Sequence, residues 1–201
     1  MYVKVCGLSS PDDVRAAIEA GADAIGVVMS PASPRHVDLD TARSVIAAAE
    51  RLVDTVLVTN VLAAAEAARI AADLGADVLQ LHGTYTVEDF ATSARIHPRV
   101  WRATSLKHDP HPVSGSHGEE LLLLDAPKPG DGKTWDLSVL VDARPSGRWL
   151  LAGGLTPDNV AAAIATAEPW GVDVSSGVES APGEKDPDLI GAFVAAARSS
   201  A

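Results

Sequence analysis

A single cysteine, Cys6, is present in 201 residues, so an internal disulfide is excluded and any thiol chemistry must run through that one side chain. Positive charge is scarce: 16 Lys and Arg against 27 Asp and Glu leave a formal net charge of −11. Such a field repels phosphate at long range, which argues against nucleic acid or an anionic membrane as partner and requires any anionic ligand to be captured by local groups. No stretch reaches the ~18 consecutive apolar residues of a membrane span. The opening Met1-Tyr2-Val3-Lys4-Val5 is strand-like, with no charged region ahead of a long apolar stretch, and predicts no secretory signal and a cytoplasmic location. What is present is globular, since 47% hydrophobic and 21% charged residues lie far from the composition of disordered chains. The length suits one domain covering 1–201.

Short runs rich in Val, Ile and Leu alternate with longer Ala-rich stretches of helical spacing, the pattern of parallel strands covered by helices. The predicted strands are Tyr2–Cys6, Ala24–Val28, Asp54–Thr59, Val78–Leu81, Arg99–Ala103, Leu121–Leu124, Trp149–Ala152 and Gly171–Val174. Helix starts are signalled by Ser10-Pro11-Asp12-Asp13, Asp38, Thr86 and Thr156-Pro157-Asp158, each followed by apolar periodicity. Between Lys107 and Gly118 the chain is crowded with His, Pro, Gly and Ser, so the fifth helix is predicted to be short or missing. A doubly wound open sheet shares this alternation, but eight strands favour closure into a (β/α)8 barrel, whose functional groups sit where strands end and βα loops begin.

Those positions carry chemistry. Cys6 ends the first strand in KVCGL at 4–8, and Asp125 ends the apolar run LLLLD at 121–125. A buried small thiol and a loop-capping Asp are the plain readings; placed across one barrel mouth, they read instead as a base and an acid. After the last two strands come LAGGL at 151–155 and VDVSSGVE at 172–179. Their glycines allow backbone N–H groups close to an anion, and a short helix begun by Ser175-Ser176-Gly177 would aim its positive end at a phosphate. Arg35, in SPRHV, reads alone as a solvated surface Arg or as a bidentate partner for a carboxylate. His82 ends strand four in LQLHG. The six His show no spacing of metal ligands.

Taken in order, KVCGL, GVVMSPASPRHV at 26–37, LQLHG, LLLLD, GDGKTWD at 130–136, LAGGLTPDNV at 151–160 and VDVSSGVE, followed by Gly183 and Lys185-Asp186, resemble the phosphoribosylanthranilate isomerase family along most of the chain. The resemblance implies a (β/α)8 fold without metal or organic cofactor, and an Amadori rearrangement of N-(5-phosphoribosyl)anthranilate to 1-(2-carboxyphenylamino)-1-deoxyribulose 5-phosphate. It makes Cys6 the general base, with appreciable thiolate character, and Asp125 the general acid, protonated when substrate binds. By the same resemblance Arg35 would hold the anthranilate carboxylate, with Asp173 nearby and His82 in a binding position. Gly153, Gly154, Ser175, Ser176 and Gly177 would line the phosphate site. Asp131 departs from the family pattern, standing before Gly-Lys-Thr where Thr or Gly is common. The partner implied is a phosphorylated small molecule; the sequence names no protein partner. Rivals on this fold fit less well: indole-3-glycerol-phosphate synthase needs a lysine at a strand end, and ribulose-phosphate epimerases need a metal-binding His and Asp set. A non-catalytic sugar-phosphate binder on the same scaffold is a further alternative, which Cys6 together with Asp125 argues against.

Overall fold

The structure, a computed structural model, describes residues 1–127 and 135–200, so the GDGKT portion of the motif at 130–136, Asp131 included, lies outside the described residues. Eight parallel strands close into a barrel in chain order: β1 (Tyr2–Cys6), β2 (Ala24–Val28), β3 (Asp54–Thr59), β4 (Val78–His82), β5 (Val100–Ser105), β6 (Leu121–Asp125), β7 (Trp149–Leu151) and β8 (Gly171–Val174). Lys4 pairs with Ala24 on β2 and with Asp173 on β8, which closes the ring. The helices are α1 (Pro11–Ala20), α2 (Leu39–Ala48), α3 (Ala64–Leu74), α4 (Val87–Ala94), the single turn α5 (Leu140–Ala143), α6 (Val160–Ala167) and α7 (Pro187–Ser199). None is long and apolar enough to cross a membrane.

Local chemistry explains most boundaries. Ser10 and Thr86 each cap a helix through a reciprocal box with Asp13 and Asp89, and Asp38 caps α2 through the Thr41 N–H. The start of α6 differs from expectation. Thr156-Pro157-Asp158 forms a preceding turn and the helix begins after Asn159, because the Asn159 side chain is spent bridging the Thr156 N–H and the Gly154 carbonyl. Between β5 and β6 no helix forms among the described residues. A further feature unanticipated from sequence is a small hairpin, β9 (Glu179–Ala181) with β10 (Glu184–Lys185), at the mouth after β8.

Two buried layers follow from the period-two alternation of the strands. Val3, Val5, Leu79, Leu81, Leu122, Leu124, Val172 and Val174 face outward against the helices. Val56, Val58, Val78, Trp101, Leu121, Leu123 and Leu150 fill the barrel interior together with Cys6. Carried upward, the inward phase places Asp125 two residues above Leu123 and His82 above Gln80, at the C-terminal rim.

Candidate active site

A cavity of about 330 Å³ opens at that rim, lined by Cys6, Arg35, His82, Asp125, Gly153, Gly154, Asp173, Ser175 and Ser176 among others. Nine of the ten residues singled out from sequence therefore meet in one place. The tenth, Gly177, is absent from the lining. A Cβ there would lie 1.8 Å from the Leu155 carbonyl oxygen, so its missing side chain lets the β7 and β8 loops touch. The anticipated helix at 175–177 is only the one 3-10 turn Ser176–Val178, too short to sum peptide dipoles. What the loops offer instead is N–H groups: among the described residues, those of Gly153, Gly154, Ser175 and Ser176 donate no hydrogen bond.

Asp125 combines both of its sequence readings. Its Oδ1 accepts from the Ala126 N–H at 2.7 Å, as a loop cap does, while its Oδ2 lies 3.7 Å from His82 Nε2. Gly153 makes room for this: its φ is +92°, and a Cβ would stand 2.6 Å from the Ala126 nitrogen and 2.9 Å from Asp125 Oδ1. Burial, helped by the Lys4 and His108 charges, pushes the His82 imidazole down to about 4. At neutral pH it is an uncharged neighbour of Asp125 and not an ion-pair partner.

Cys6 is 7% exposed. Burial raises the thiol above its ordinary value, Asp173 acts in the same sense, and Lys4 and Lys185 oppose them. Lys4 was missed from sequence. Its side chain is fully buried, with Nζ 2.7 Å from Asp173 Oδ1. Burial works against the ammonium, but Asp173 and Cys6 together raise Lys4 above the usual lysine value. Burial raises the Asp173 carboxyl in turn, opposed by Lys4 and Lys185.

Arg35 is not a solvated surface residue: its side chain is 9% exposed and forks onto Glu179, with Nε to Oε1 at 2.6 Å and Nη2 to Oε2 at 2.9 Å. Glu179 also accepts from buried Lys185 at 2.7 Å, and Lys185 donates to the Ser175 carbonyl at 2.9 Å. Burial disfavours the Glu179 charge, yet Arg35 and Lys185 hold its carboxyl below the ordinary range. Two cations thus share one anion beside the cavity. Among the described residues no group of three or more His, Cys, Asp or Glu is placed to hold a metal ion.

Comparison with known proteins follows the same geometry. The family model for N-(5'-phosphoribosyl)anthranilate (PRA) isomerase matches residues 3–196. The N-(5'-phosphoribosyl)anthranilate isomerase of Haloferax volcanii is 41% identical, over 98% of this chain and 92% of that protein. That of Acidithiobacillus ferrooxidans is also 41% identical, over 98% and 97%. Among solved structures, TrpF from Jonesia denitrificans superposes with a TM-score of 0.92 at 56% identity, covering 100% of this chain and 98% of that one. A phosphoribosyl anthranilate isomerase in complex with reduced 1-(o-carboxyphenylamino)-1-deoxyribulose 5-phosphate superposes with a TM-score of 0.85 at 30% identity, covering 99% of both.

Proposed function

The chain belongs to the N-(5'-phosphoribosyl)anthranilate isomerase family and is an isomerase of tryptophan biosynthesis, and on that premise we propose that its rearrangement runs by general acid–base catalysis between Asp125 and Cys6. The observation carrying this reading is that the inward phases of β1 and β6 end in a thiol and a carboxyl that line the same cavity. On the shorter way round the barrel, only β7 and β8 separate them, and those two strands bear the glycine loops.

The substrate phosphate lies against the loops at 153–155 and 175–177, whose N–H groups supply the attraction that an acidic chain lacks at long range. The anthranilate carboxylate meets Arg35. Glu179 occupies the Nε/Nη2 edge of that guanidinium, which leaves the Nη1/Nη2 end for a second bidentate contact. Asp173, beside Cys6 and tied to Lys4, lies near the anthranilate end. Asp125 gives its proton to the ribose ring oxygen as the C1′–O bond breaks, and the nitrogen lone pair forms the iminium. Cys6 then removes the C2′ proton. The C–H electron pair becomes the C1′=C2′ bond of the enolamine and quenches the iminium. Protonation at C1′ and loss of the 2′-hydroxyl proton give the ketone, so the net change is isomerisation. Neutral His82, 3.7 Å from Asp125 Oδ2, adds no charge that would hold the acid ionised.

Asp125→Asn tests the acid. It keeps shape and removes the transferable proton, so kcat is expected to fall about 10²-fold or more while a product analogue binds as before. The assay follows loss of anthranilate fluorescence. A kcat within a few-fold of the unaltered protein would take the acid's role from Asp125.

A further inference from the structure

Lys4 has no part in the steps above, yet it is the cation most deeply placed beneath them. It lies two residues before Cys6 on the same inward face of β1, with no exposed side-chain surface. Its ammonium bonds Asp173 across the β1–β8 pairing at 2.7 Å, and its charge acts on the Cys6 thiol one step up the same inward face. As packing, a lysine here is poor, since Met or Leu would fill similar space without stripping an ammonium of water. An isolated ion pair with Asp173 would explain two buried charges but not why they are set directly under a thiol. The charged groups facing Cys6 are Lys4 on β1, Asp173 on β8 and Lys185 at the end of β10. Neutral His82 on β4 and Asp125 on β6 line the same cavity, and Arg35 is held by Glu179.

We propose that Lys4 is the shared counter-ion of Asp173 and Cys6, a positioning residue whose ammonium holds the thiolate that removes the C2′ proton. The inference rests on the acid–base reading above. Burial alone keeps the thiol protonated; the ammonium below, joined by the substrate iminium above, supplies the attraction that offsets burial at the moment a base is needed. When the C2′–H bond breaks and the S–H bond forms, the thiolate charge disappears and the ammonium returns wholly to Asp173. Asp173 and Cys6 therefore compete for one cation, and removing either partner of the ion pair moves the thiol in opposite directions.

Cys6 is the single thiol in the chain, so the pH dependence of its alkylation by iodoacetamide reads this site alone. Lys4→Met is expected to move the alkylation midpoint upward and to slow the reaction at about pH 7 by tenfold or more. Asp173→Asn moves the midpoint downward. The acidic limb of kcat/KM follows the midpoint in each variant. An unmoved midpoint in Lys4→Met, or movement of both in one direction, overturns the proposal. Should Lys4→Met fail to fold because Asp173 is left unpaired, the comparison is between Asp173→Asn and Lys4→Met/Asp173→Asn, which differ by the ammonium alone. The double variant is expected to have the higher midpoint, and equal midpoints overturn the proposal. These midpoints do not depend on Cys6 acting as the base. If Cys6→Ser kept its turnover while the midpoints moved as stated, the base assignment would fall and the counter-ion would stand.

Discussion

Arg35 illustrates how one guanidinium serves two carboxylates. Its side edge is committed to Glu179, and Glu179 is itself anchored by Lys185 and by the Gly183 N–H at 3.2 Å. That clamp aims the free end of Arg35. Replacing Glu179 with Gln leaves the size unchanged and loosens the aim, so KM should rise about tenfold, the scale of a charge-assisted contact, with kcat little changed. Steady-state kinetics on the phosphoribosyl adduct of aniline, which lacks the carboxylate, should show no such rise; an equal rise for both substrates would mean that Glu179 acts on the fold and not on the carboxylate. Since Glu179 sits below the ordinary carboxylate range, its ionised clamp is complete at neutral pH and is lost only as pH falls through that lowered value. Arg35 itself was legible as a candidate from SPRHV. Glu179 and Lys185 were legible only as motif letters, because nothing in a local window reveals that a two-strand hairpin folds them back over β2's loop. Lys4 could have been found: a lysine inside YVKVC, on a strand buried on both faces, demands a partner, and Asp173 sits in an equally apolar strand next to it.

Among the elements, β5 stands out because its outward face carries a buried arginine, Arg102. The guanidinium, 5% exposed, bonds Glu119 at 2.9 Å, Asp109 at 2.9 Å, the Val113 carbonyl at 3.0 Å and Ser116 at 3.2 Å. One side chain thus organises the loop between β5 and β6 in place of a helix. The Pro, Gly and His content of 107–118 announced the missing helix, whereas the substitute depends on partners spread over many positions and has no periodic signature. Arg102→Met should cost about 3–5 kcal/mol, because Glu119 is left buried without its cation. Chemical denaturation measures this, and Arg102→Met/Glu119→Gln should recover much of it. An Arg102→Met protein as stable as the parent would show that the loop holds by other contacts. Helix starts were legible where a side chain caps its own helix, as at Ser10, Asp38 and Thr86. The start of α6 was not, because Asn159 serves the neighbouring glycine loop instead.

At the scale of the whole molecule, the strand pattern was readable because each parallel strand is covered on both sides and must be apolar through its length. Closure puts the ends of distant strands into one cavity, which is why Cys6 and Asp125 can be paired from their places at the ends of β1 and β6. Protonation states were not readable, since they depend on burial and on charges from other strands: burial raises the Cys6 thiol above its ordinary value while Lys4 and Lys185 oppose it. Cys6 is proposed as the base of an isomerase cavity and not simply a buried thiol lining it. The direct measurement is kcat of Cys6→Ser beside its affinity for a product analogue. A hydroxyl is a far poorer base than a thiol of pKa near ~8.5, so turnover is predicted to fall about 10²-fold or more with affinity intact. Turnover near that of the unaltered protein would contradict this role, and lost affinity at unchanged kcat would make Cys6 a binding residue.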